Sequence, residues 1–389
     1  MAATAQIIGW SHAPFGRHPG PDVEALMKDV VPAALADAQV EASEVDGIFT
    51  GVFNAGFAHQ DFAGALVSLA EPGLRHVPST RYENACASGS AALYAACDFI
   101  ESGRGRVALV VGAEKMTAVP TAEAGRNLLS ACYISEEGGV AGGFAGVFAG
   151  ITQEYYARYG DRSEALARIA AKNHKNGVAN PYAQMRKDFG FEFCNTISDK
   201  NPYVVEPLRR TDCSLISDGA AALVVVADDR ASSARRRVGF RARVHVNDFL
   251  PMSRRDPIAF DGPRLAWAKA MEQAGLNTLD LDLVETHDCF TIAELLQYEA
   301  FGLAEPGHGD EVLKEGVTEP DGKLPFNLSG GLKSKGHPIG ATGVSMHVLM
   351  AMQLVGEAGE MQKEGASVGA VFNMGGAAVA NYASVLEAR

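Results

Sequence analysis

Glu83-Asn84-Ala85-Cys86-Ala87-Ser88-Gly89-Ser90-Ala91-Ala92-Leu93 places a cysteine at the opening of what reads as a buried helix, with small residues crowded behind it. Leu93, Ala96, Cys97 and Ile100 recur at helical spacing and bury the far end of that helix. Ser88 and Gly89 leave room for another backbone or a substrate to come close. A thiol at a helix N-terminus meets unpaired amide groups and the positive end of the macrodipole. Both favour the thiolate, the species that attacks a carbonyl or thioester. Cys86 is therefore expected to titrate below an ordinary cysteine. The same pattern also suits an inert thiol, because free cysteines are among the most buried residue types.

Outward from this helix the chain alternates strand and helix. Gln6 to Trp10 reads as a strand, Asp22 to Ala38 as an amphipathic helix with Leu26, Val30, Val31 and Leu35 inward, and Gly47 to Val52 as a second strand. Arg106-Val107-Ala108-Leu109-Val110-Val111-Gly112 is a continuous apolar strand of the kind covered on both faces. From about Ala118 to Asp212 the pattern changes to glycine-rich loops, a tyrosine-rich helix near Tyr155, and a helix opened by Asp161-Arg162-Ser163-Glu164, a capping-box spelling. This segment reads as an inserted lid. Sheet pattern resumes at Ala220 to Val226, and Arg235-Arg236-Arg237 marks an exposed crossing into a second half.

That second half repeats the first: a helix near Leu265 to Ala274, a strand Leu281 to Thr286, a helix Ile292 to Phe301 and a long acidic loop to Gly322. Gly336-His337-Pro338-Ile339-Gly340-Ala341-Thr342-Gly343 then precedes an apolar helix (Val344 to Leu354) and a strand (Ser367 to Phe372). Cys86-Ala87-Ser88-Gly89 likewise precedes a helix and the strand Val107 to Val111. The pattern predicts one half from 1–117 with 213–234, a lid over 118–212, and a second half over 235–389. If the halves pack about a pseudo-twofold axis, both helix N-termini converge on one pocket and set a nucleophile beside a base.

At 389 residues the chain exceeds a single core, since such cores stop growing near ~250–300 residues. A hydrophobic content of 47% with 42 glycines and 8% aromatics fits a compact α/β protein with close backbone contacts. The net charge of −13 argues against nucleic acid or an anionic membrane surface as main partner, because both need a basic face. Six cysteines, at 86, 97, 132, 194, 213 and 289, form no CxxC pair and no metal-ligand spacing, which points to reduced thiols in a cytoplasmic enzyme. The first residues, Met1-Ala2-Ala3-Thr4-Ala5-Gln6, show no signal pattern, no apolar run reaches ~18 residues, and the last three are not a peroxisomal address.

Three further stretches carry chemistry. His337 sits among small residues, where an imidazole reaches a thiol and a substrate; a satisfied loop histidine has the same surroundings. His287-Asp288-Cys289-Phe290 follows a strand at its carboxyl end, where α/β sheets place ligands. Asn373-Met374-Gly375-Gly376-Ala377 follows the last strong strand, and its glycines bring backbone N–H groups to a developing oxyanion or simply form a turn.

Taken together, N-A-C-A-S-G at 84–89, H-D-C-F at 287–290, G-H-P-I-G-A-T-G at 336–343 and N-M-G-G at 373–376 resemble the thiolase superfamily, and within it the sterol-carrier-protein type. Lys172-Asn173-His174-Lys175, Asn180-Pro181-Tyr182 and Ser217-Asp218-Gly219-Ala220-Ala221 resemble the same subgroup. The resemblance implies a five-layered αβαβα fold of two similar halves, a homodimer or tetramer, and coenzyme A thioesters with coenzyme A as substrates rather than a permanently bound cofactor. It implies no metal. It makes Cys86 the acyl-accepting nucleophile and His337 its base. His287 and His337 would flank one oxyanion, and the backbone N–H groups of Cys86 and Gly375 would hold the other. Most thiolases carry a second, proton-shuttling cysteine where this chain has Asn373, and an asparagine where it has His287. Cys289 takes over the shuttle in that reading.

The activity implied is thiolysis of a 3-oxoacyl-CoA or the reverse Claisen condensation. A ketosynthase-like acyltransferase and a non-catalytic acyl-CoA-binding partner subunit remain as alternatives. Lys172, Lys175, Arg186 and Lys187 lie in the lid and are left without a role toward the coenzyme A phosphates.

Overall fold

Residues Val107 onward are buried on both faces of their strand: Leu109 and Val111 pack with the helix over Val23–Ala38, whereas Ala108 and Val110 pack with the helix that follows Cys86. That alternation puts one sheet between two helical layers. The computed structural model describes residues 4–20, 22–54 and 56–389; the reading of residues 1–3 lies outside them.

Along the first half the order is β1 (Ala5–His12), α1 (Val23–Ala38), β2 (Gly47–Gly51), α2 (Ala63–Ala70), β3 (Ser79–Tyr82), α3 (Ser88–Glu101) and β4 (Val107–Lys115). The chain then leaves the sheet through α4 (Thr121–Leu128), α5 (Ile134–Glu137), α6 (Phe144–Tyr159), α7 (Ser163–Gly177), α8 (Gly190–Asn195) and a ribbon of β5 (Tyr203–Val205) and β6 (Leu208–Arg209). It returns as β7 (Asp218–Ala227). The second half runs α9 (Asp228–Ala231), β8 (Val238–Asn247), α10 (Asp261–Ala274), β9 (Leu283–Glu285), α11 (Thr291–Ala300), α12 (Gly309–Lys314), α13 (Gly331–Lys335), α14 (Ile339–Leu354), β10 (Val368–Gly375) and β11 (Ala380–Ala388).

Counted within each half, the strands lie in one order: first, fifth, fourth, second, third. The first half has β1-β7-β4-β2-β3, and the second has β8-β11-β10-β9 with Phe326, bridged in parallel to Val284, in the third place. In each half the first two pairings are antiparallel and the next is parallel. β1 and β8 meet at Gln6↔Gly239 and Ile7↔Val238, so hydrogen bonding runs through nine strands. α1 and α2 cover one outer face, α10 with α11 beside it covers the other, and α3 and α14 lie between the halves, which gives five layers.

Several details differ from the sequence reading. β10 continues to Gly375 because Asn373, Met374 and Gly375 keep pairing with Tyr382, Asn381 and Ala380 of β11. The capping box at Asp161–Glu164 does not form: Arg162 is the N-cap without a side-chain cap bond, and Asp161 Oδ1 accepts from the Ser163 N–H at 2.7 Å. The Arg235–Arg237 run is not all solvated surface. The Arg236 side chain is 7% exposed, its guanidinium carbon 3.7 Å from the Trp10 ring centroid, and it is paired with Asp37 and with Glu357.

Candidate functional site

The two inner helices meet backbone to backbone because the residues at their N-termini have no bulk. A Cβ on Gly89 would stand 2.8 Å from Val344 N, and one on Gly343 would stand 2.3 Å from Ser90 N. Close approach of this kind requires glycine. α3 starts two residues after Cys86 and α14 two residues after His337, so the contact brings the two side chains to one place. The turn before Cys86 is locked: Ala85 adopts a left-handed φ of 49°, while Ser88 Oγ donates to Ala85 O at 2.6 Å and accepts from Asn84 N at 2.9 Å.

His287 arrives from the loop after β9. Cys86 Sγ and ring nitrogens of His287 and His337 all lie within 4.8 Å of one another, and all three side chains are buried. The two imidazole rings are perpendicular at 84° with centroids 5.1 Å apart. His337 Nδ1 is 2.7 Å from Thr342 Oγ1, which donates to Pro338 O at 2.9 Å. His287 Nδ1 is 2.9 Å from Asn373 Nδ2. Among the described residues neither Nε2 has a partner. Cys289 is 2% exposed and lines, with Cys86 and His337, a cavity of about 550 Å³. The other walls are mostly apolar or glycine, among them Leu129, Gly142, Phe144 and Phe290, with Arg126 as the charged lining side chain.

The electrostatics correct one expectation. Burial pushes the Cys86 thiol up to about 12, against hydrogen bonding from the Gly376 N–H, so the resting group is a thiol and not the helix-start thiolate. Burial and then the Lys335 charge bring His337 down to about 3; burial, then His337 and Lys335, put His287 well below the ordinary value. Burial, then Cys86 and Asp288, push Cys289 well above its usual range. Thiols and imidazoles are all neutral near pH 7.

Gly375 was expected to supply an oxyanion donor with Cys86; the N–H that reaches the resting thiol is that of the next residue, Gly376. Gly375 also makes the approach possible, because a Cβ there would stand 2.2 Å from Asn84 O.

Behind the site lies a polar lattice that sequence reasoning missed. Asp288 accepts from Leu332 N at 2.6 Å, Lys333 N at 3.2 Å and Asn173 Nδ2 at 2.8 Å, so it ties the His287 loop to α13, which leads to His337. Glu294 accepts from Lys172 Nζ at 2.6 Å, Asn173 Nδ2 at 2.7 Å and Asn327 Nδ2 at 2.9 Å. Lys172, weighed as a surface cation, is thus 1% exposed and consumed by an ion pair. Glu114 accepts from Phe53 N at 2.8 Å and Gly340 N at 3.0 Å, joining the end of β2 to the start of α14; burial lifts its carboxyl to about 7. The one sequence signal for the lattice was Lys172-Asn173-His174-Lys175, a polar run inside an otherwise amphipathic helix.

Among the described residues no helix is long and apolar enough to cross a membrane. Residues 6–229 match the family described as thiolase, N-terminal domain, and residues 246–388 match thiolase C-terminal domain-like. An acetyl-CoA acetyltransferase of Methanothermobacter thermautotrophicus is 35% identical over 95% of this chain and 96% of its own length. Human sterol carrier protein 2 is 34% identical over 91% of this chain and 66% of its own length. Among solved structures, the Ltp2-ChsH2(DUF35) aldolase superposes with a TM-score of 0.82 at 21% identity, covering 99% of this chain and 98% of that one. Human mitochondrial 3-ketoacyl-CoA thiolase in complex with CoA gives 0.77 at 16% identity, covering 100% and 98%. With both halves matched and the strand order repeated between them, the chain belongs to the thiolase family.

Proposed function

We propose that the protein is an acyl-CoA thiolase that works through an acyl-cysteine at Cys86. The observation that carries the reading is the convergence of Cys86 Sγ with ring nitrogens of His287 and His337 within 4.8 Å, in a cavity that Cys289 also lines. In thiolysis, His337 Nε2 takes the Cys86 proton as Sγ attacks the 3-keto carbon of a 3-oxoacyl-CoA. The C2–C3 bond breaks, Cys86 keeps the acyl group, and the departing enolate takes its proton from Cys289. The thiol of free coenzyme A gives its proton to Cys289 and attacks the acyl-cysteine; the acyl–sulfur bond to Cys86 breaks, and the Cys86 thiolate takes its proton back from His337, which closes the cycle. Condensation is the reverse.

Two sets of donors suit the two oxygens that gain charge. The N–H groups of Cys86 and of the Gly375–Gly376 turn serve the keto oxygen, and His287 Nε2, joined by His337 Nε2 once it holds the Cys86 proton, serves the thioester oxygen of the enolate. Raised thiols fit these roles: Cys289 donates a proton only if it holds one.

The quaternary reading is a homodimer or tetramer. β3 is the edge of the nine-stranded sheet, with Ser79 and Thr80 exposed, and Phe62 nearby in the chain is 82% exposed. An open edge of this kind is normally covered. All six cysteines are free thiols, in keeping with a reducing cytoplasmic compartment.

The test is a panel of 3-oxoacyl-CoA esters assayed for thiolysis with free coenzyme A, with intact-mass detection of the acyl adduct on wild type and on Cys86→Ala. Turnover with an adduct that vanishes in the variant supports the reading. Turnover only with a malonyl-carrier protein supports a ketosynthase, and ester binding without any adduct supports a non-catalytic partner subunit. Light scattering at micromolar concentration tests the assembly: a species of 41.0 kDa would be a monomer.

A further inference from the structure

Two histidines of the same chemistry meet at the Cys86 thiol, and the thiolase reading asks them to do opposite things. His337 must accept a proton at Nε2, whereas His287 must present one there. A neutral imidazole has one N–H, and the partner of Nδ1 decides which nitrogen carries it.

For His337 the partner is Thr342. The Thr342 hydroxyl has a single hydrogen and two contacts, Pro338 O at 2.9 Å and His337 Nδ1 at 2.7 Å. Pro338 O can only accept. Both contacts are satisfied when the hydroxyl donates to Pro338 O and accepts from a protonated Nδ1, which leaves a lone pair on His337 Nε2.

For His287 the partner is Asn373, and its amide orientation is dictated by three neighbours. Its Nδ2 lies 3.2 Å from Cys86 O, a carbonyl that can only accept, so the NH₂ group must be on that side. Ser90 Oγ donates to Oδ1 at 2.7 Å on the other side. The second N–H of the same NH₂ then points at His287 Nδ1, 2.9 Å away, which must therefore accept and carry no proton. Ser90, Asn373 and His287 are each fully buried, so a reversed amide would set its oxygen against the Cys86 carbonyl with no water to relieve the repulsion.

We infer that Asn373 is a positioning residue that fixes the tautomer of His287, so that His287 offers an Nε2–H donor beside the Cys86 thiol while His337, held by Thr342, offers a lone pair. The catalytic consequence rests on the thiolase reading; the tautomer does not. The arrangement explains both unpartnered Nε2 atoms: one is a donor kept for a developing oxyanion, the other a base kept for the Cys86 thiol. It also bears on a metal. Cys86, His287 and His337 have the composition of a soft-metal triad, but a metal ion needs a lone pair on Nε2, and Asn373 leaves a proton there.

The experiment is long-range ¹H–¹⁵N correlation on histidine-labelled full-length protein, with the two residues assigned from His287→Asn and His337→Asn. The expected spectrum shows His287 protonated at Nε2 and His337 protonated at Nδ1. In Asn373→Asp the new carboxylate can only accept, so His287 must carry its proton on Nδ1. Nε2 then donates only when the whole ring is charged. Thiolysis by this variant is expected to fall about 10²–10³-fold, the loss of one oxyanion donor, and to recover toward acid pH as His287 protonates. Wild type lacks that recovery. The titratable and charged groups that face His287 are His337, Lys335 and Cys86, none of them a carboxylate.

His287 protonated at Nδ1 in the wild-type spectrum overturns the inference even if the variant does not fold. So does an Asn373→Asp protein with unchanged His287 signals. The expected tautomers in a protein that performs no thiolysis would leave the inference standing and remove the proposed function instead.

Discussion

His287 and His337 stand edge to face, ring centroids 5.1 Å apart, and among the described residues neither Nε2 atom has a partner. Buried polar atoms are rarely left unpaired, and leaving one costs about 1–3 kcal/mol. Two such atoms side by side, beside a thiol, are where the proposed mechanism sets a substrate oxygen to complete the bonding.

The neutral resting state predicts a titration. Cys86 is pushed up to about 12 and His337 down to about 3, so between these values the thiol keeps its proton and the imidazole does not take it. The ultraviolet thiolate band, measured as wild type minus Cys86→Ala, should be absent from about pH 5 to about pH 9. A Cys86 thiolate that forms below about pH 8 would show a preformed ion pair and refute the neutral mechanism.

The shuttle role proposed for Cys289 predicts a separation of the two chemical steps. Acylation of Cys86 by a simple acyl-CoA moves no proton to or from carbon, whereas thiolysis and condensation both do. Cys289→Ala should leave acylation, followed by mass, largely intact and slow thiolysis about 10²–10⁴-fold, the range for losing a general acid or base. Small, equal losses in both assays would mean that Cys289 only packs behind His287.

The helix contact at the site predicts a paired result. Gly89→Ala sets a Cβ 2.8 Å from Val344 N and 2.9 Å from Gly340 O, both backbone, so α3 and α14 must separate at about 1–3 kcal/mol of stability with loss of activity. Gly150→Ala on α6 meets nothing within 4 Å and should be neutral or stabilising by up to about 1 kcal/mol. Urea unfolding compares the two; equal stabilities would contradict the close crossing.

Lys172 is predicted to act on folding and not on coenzyme A. Its ion pair with Glu294 is 1% and 0% exposed, and removing one partner of a buried pair costs about 3–5 kcal/mol. Lys172→Ala should unfold at lower urea while the folded fraction keeps its KM for coenzyme A. A raised KM at unchanged stability would place the lysine on the ligand after all.

Much of the architecture was legible because it is local. Strand and helix periods are set by neighbours a few residues apart, and the matching run of short motif, helix and strand after Cys86 and after His337 was visible without coordinates. The Cys86 thiol shows where that reading stops. A helix-start position argues for a thiolate, but the chain around the cavity removes water from the sulfur, and desolvation outweighs the helix end.

The amino-acid sequence by itself determined the repeated strand–helix pattern, the placement of Cys86 and His337 just ahead of two helices, and the glycines that let those helices touch. Only the tertiary structure decided the state of the groups at the site. Asn373 reaches His287 across 86 positions and Ser90 across 283, and Lys172 reaches Glu294 across 122. Protonation, tautomer and the exhaustion of a cation in an ion pair depend on burial and on such distant partners, and neither leaves a period or a spacing in the sequence.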